Sequence, residues 1–101
     1  MMSETENTLG KDDATDIYKK ASESGDIPKI YFNNPVGFVN AGDISILLLM
    51  NNSPVAVMNM SFTVAKTLAA HLGSIIAKVE EKTGNKVMTI DDIGKALGMI
   101  K

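Results

Sequence analysis

From residue 58 to 85 the chain reads "MNMSFTVAKTLAAHLGSIIAKVEEKTGN", in which Ala65, Leu68, Ala69, Leu72, Ile75, Ile76 and Val79 recur at intervals of three and four. That period places them on one stripe of an α-helix. Ser61 stands where an N-cap accepts hydrogen bonds from the free N–H groups of the first turn, and Gly84-Asn85 stands where a left-handed residue ends a helix. The 22 residues between these marks predict about 33 Å of helix. Its stripe is expected to pack as core against the segment before it.

That segment, "ISILLLMNNSPVAVMNM" from residue 44 to 60, predicts two apolar strands separated by Asn51-Asn52-Ser53-Pro54, a run that favours positive φ and a reversal of the chain. An antiparallel hairpin follows. In its first strand Ile44, Ile46, Leu48 and Met50 point one way and Leu47 and Leu49 the other, so the second half is apolar on both faces and both need cover. Further upstream, "KIYFNN" alternates at residues 29–34, Asn33-Asn34-Pro35 interrupts it, and "VGFVN" resumes, which predicts an edge strand with a break. Ala41-Gly42-Asp43 then reads as a turn.

At the other end, Thr89 with Asp92 three residues on reads as a capping pair, and Ile90, Ile93, Leu97 and Ile100 share a face. A short terminal helix is expected, weakened by Gly94 and Gly98. The string "TIDDIGKALG" also resembles the first helix of a helix-turn-helix. That motif needs a second, recognition helix after the turn, so the match is read as accidental.

Residues 1–27 break the apolar pattern. They hold seven acids and three lysines, net −4, against a net +2 for residues 28–101. Their few apolar residues do not offset the entropy of ordering a chain, and they are expected to form an acidic flexible tail ahead of a small domain at 28–101. A short helix near "DDATDIYKKASE" is the one element foreseen there, with Ile17, Tyr18 and Ala21 on a face. The acids of "MMSETENTLGKDD" stand where a secretory signal would carry a basic and then an apolar segment, so export by that route is not expected. No apolar run approaches the roughly 18–20 residues of a membrane span. A soluble, cytoplasmic protein is the default reading.

On the flank of the long helix, Ala65, Ala69, Gly73 and Ala77 recur every four residues as a ridge of small side chains. Such rows interdigitate when helices cross at the commonest angle. The ridge is either a helix-to-helix dimer contact or clearance for the helix's own sheet. Gly73 costs roughly 1 kcal/mol of helix propensity against alanine, which favours a role that requires closeness.

Candidate chemistry changes the picture little. All ten basic residues are lysine, so the chain lacks the arginine that grips phosphate and guanine edges with paired hydrogen bonds. Nucleic-acid binding is therefore the weaker alternative function. With no cysteine there is neither disulfide nor thiolate. His71 is the single histidine and has no carboxylate three or four residues on, so it assembles neither an acid–base pair nor a metal set. Asp91 and Asp92 are adjacent on a helix and diverge; compensation of the N-terminal dipole explains both. No catalytic residue, cofactor or metal is expected. Met50, Met58 and Met60 are read as adaptable filler.

Tyr31-Phe32-Asn33, Asp43 opening an apolar strand, "VMNMSFTVAKTL" with its Ser61 cap and Ala65-Lys66 pair, and the helix end near Glu80-Glu81 together resemble the bacterial domain-of-unknown-function family DUF 3467 over roughly residues 29–82. Phe62 stands where that family commonly shows proline, and Ile44 where it shows an aromatic. The resemblance implies a strand-strand-strand-helix unit and supplies no activity or cofactor.

The expected architecture is α+β: an antiparallel sheet of three or four strands packed by one long helix, with a short C-terminal helix. The expected function is a non-enzymatic interaction module acting as a homodimer, with an unidentified protein partner as the other binding class. Leu47 and Leu49 on the sheet, and Ala65, Ala69, Gly73 and Ala77 on the helix, are the candidate contact residues.

Overall fold

A computed structural model describes residues 11–98. The element order is α1 (Lys11–Glu23), β1 (Asn34–Val39), β2 (Ile44–Met50), β3 (Ser53–Met60), α2 (Phe62–Thr83) and α3 (Ile90–Ala96). Among the described residues the three strands form one antiparallel sheet in the order β1-β2-β3, with β2 central. By its contacts the chain divides into two units, one of Met1–Pro35 with Leu48–Ala56 and one of Val36–Leu47 with Val57–Lys101.

In the first unit the hairpin tip is set by local chemistry. Asn51 and Asn52 are both left-handed, at φ 52° and 68°, which is the two-residue turn whose twist matches that of the flanking strands. Asn33 is tied to this tip three times. Its N–H donates to the Leu49 carbonyl at 2.9 Å, its side-chain amide donates to Asn51 Oδ1 at 2.9 Å, and its Oδ1 accepts from the Asn51 N–H at 3.1 Å. Leu48 is 2% exposed and is the buried hydrophobic residue of the described chain. The foreseen helix in the acidic segment is present as α1, with Ile17 and Tyr18 exposed; residues 1–10 of that segment lie outside the described residues.

The strand expected at residues 29–34 requires correction. Residues 28–32 have no regular structure, and β1 begins only at Asn34, so no fourth strand appears among the described residues. Ile30 and Tyr31 are exposed, and alternation without a neighbouring strand to pair with does not make a ladder. Pro35 and Pro54 both lie inside strands, in β1 and β3. Each of these strands is an edge, where a missing N–H need not break pairing.

In the second unit a polar chain closes the sheet end. The Asn40 N–H donates to the Asp43 carbonyl at 2.9 Å, and the Asn40 amide donates to Asp43 Oδ1 at 2.7 Å and Ser45 Oγ at 2.8 Å. Ser45 Oγ donates in turn to Asn59 Oδ1 at 2.6 Å. These contacts place Asn40, Ser45 and Asn59 on one face. Alternation along each strand then adds Phe38, Leu47 and Val57 to that face. The opposite face carries Ile46, whose Cδ1 lies 3.6 Å from where a Cβ on Gly37 would stand.

α2 follows β3 after the single residue Ser61, held extended at φ −66° and ψ 163°. Its Oγ accepts from the Val64 N–H at 3.1 Å. The helix stops at Gly84, left-handed at φ 70°, whose N–H donates to the Glu80 carbonyl at 2.9 Å. Both ends fall where the sequence puts them. Ser61→Ala removes the cap and is expected to cost about 1 kcal/mol, read as a fall of several degrees in the melting midpoint. A midpoint equal to wild type would mean that another group satisfies the Val64 N–H. α3 opens on a reciprocal capping box, with Thr89 N–H to Asp92 Oδ2 and Asp92 N–H to Thr89 Oγ1 both at 3.1 Å. Ile100, expected on its apolar face, lies outside the described residues.

The stripe of α2 is less buried than its period predicts. The helix buries none of its 22 residues. Ala65 and Glu80 are the most covered of them, and Leu68, Leu72, Ile75, Ile76 and Val79 are 37–56% exposed, about half covered. An apolar stripe that the period marks as core is only about half covered within this chain.

Candidate interaction surface

Two groups of candidate residues can be placed. Leu47 and Leu49 alternate with the buried Leu48 on β2 and are half-buried. On α2, Ala65 is half-buried, while Ala69, Gly73 and Ala77 are exposed. A Cβ built on Gly73 meets nothing within 4 Å, so no side chain of the described chain approaches the middle of the ridge. Clearance for the helix's own sheet therefore has nothing to clear at Gly73.

Two residues of this surface were not singled out from sequence. Phe38 and Val57, which share the face of Leu47, are 52% and 58% exposed. Within one unit, side chains from three strands thus form an apolar patch bordered by the polar chain Asn40–Ser45–Asn59. The signal was present in the alternation of β1 and β3, but the strand-to-strand register that brings these positions together is not readable from either strand alone.

The carboxylates of Asp43, Glu80 and Asp92 serve the backbone and its turns. Asp43 accepts from Asn40, Glu80 Oε2 accepts from the Val87 N–H at 2.9 Å, and Asp92 closes the α3 cap. These bonds fix a turn, the exit of α2 and the entry of α3. His71 is exposed on α2. Among the described residues no group of three or more His, Cys, Asp or Glu is arranged to hold a metal, and no helix is long and apolar enough to cross a membrane. An open cleft of about 350 Å³ in the second unit is lined by Lys86, Val87, Met88, Asp92 and Lys95. Its one carboxylate is the one engaged in the capping box. A second cleft, of about 240 Å³, lies between α1 and residues 27–29 and is lined by Tyr18, Ala21, Ser22, Ile27, Pro28 and Lys29.

The long helix offers a stripe and the sheet offers a patch, and each is only partly covered within its unit. Comparison with protein-family models, with curated proteins and with solved structures finds no match for the chain.

Proposed function

We propose that this protein is a non-enzymatic interaction module that acts as a homodimer in the cytoplasm. One observation carries the reading: α2 buries none of its residues although five large aliphatic side chains line one stripe. Full burial of such a side chain is worth about 1.5–3 kcal/mol, so covering what is now exposed is worth on the order of 5 kcal/mol per chain. That is comparable with the whole stability of a small domain. A chain with so little buried interior folds with a partner already at hand. A second copy is always available, and the open ridge around Gly73 lets two identical helices approach closely. The DUF 3467 resemblance belongs to the same reading and rests on the sequence motifs.

Sedimentation equilibrium at micromolar concentration is expected to give twice the chain mass. Gly73→Leu is expected to shift that mass toward monomer if the ridge is the contact. A well-folded wild-type monomer at those concentrations overturns the reading; an unchanged dimer in the variant removes the ridge from the interface and leaves the sheet face.

A further inference from the structure

We draw no further inference here: the strongest candidate, the apolar face of the sheet carried by Phe38, Leu47 and Val57 in the second unit, is a partly exposed surface, and nothing in the structure shows what covers it.

Discussion

Leu72→Asp combined with Ile76→Asp is expected to dissociate the dimer and, with it, to abolish the cooperative thermal transition. In the chain alone these side chains are 52% and 41% exposed, so what each substitution loses there is the half already covered, about 1 kcal/mol each. The outcome differs sharply if the stripe is covered by a partner. Each carboxylate then enters an apolar contact with no cation facing it, and several kcal/mol are lost per unpaired charge. Two-fold symmetry repeats the loss. Sedimentation equilibrium and circular-dichroism melting of the double variant read both consequences. A variant that keeps twice the chain mass and the wild-type midpoint would show that the stripe faces water in the assembly.

Leu48→Ala is expected to destabilise the protein by about 2–5 kcal/mol, because it empties the space around a buried side chain that is only 2% exposed. For a domain of this size that lowers the melting midpoint by at least about 8 °C. The informative comparison is with Leu72→Ala. Were the exposed half of Leu72 in water in the assembly, that change would lose only the half already covered, about 1 kcal/mol, and the midpoint would fall by a few degrees, the same at every protein concentration. With the stripe buried against a partner, it costs a similar few kcal/mol and the midpoint of both proteins rises with protein concentration. Urea melts at two concentrations separate the cases. A concentration-independent midpoint with a fall of only a few degrees in Leu72→Ala would count decisively against the dimer.

Several features of the fold were legible because they are local. The Ser61 cap, the Gly84 stop and the Thr89–Asp92 box each depend on groups within three or four residues of one another. The Asn51-Asn52 turn depends on which residues tolerate positive φ. The strand read at residues 29–34 was not local in this sense. Alternation there is real, but a strand exists only where another strand supplies hydrogen bonds, and those begin at Asn33, bonded to Leu49 and Asn51. The candidate surface divides in the same way. The ridge and the Leu47 face followed from period alone, whereas Phe38 and Val57 joined that face only through the register fixed by Asn40, Ser45 and Asn59.

By itself the sequence determined where helices begin and end, where the chain reverses, and which side of each element is apolar, since capping groups, backbone sterics and periodicity act within a few residues. Tertiary structure alone decided what each apolar side meets. A period of 3.6 marks Leu68, Leu72, Ile75, Ile76 and Val79 as a surface that avoids water, and is indifferent to whether its own sheet or another chain does the covering. The exposure of the five side chains, 37–56%, shows that their cover within this chain is partial.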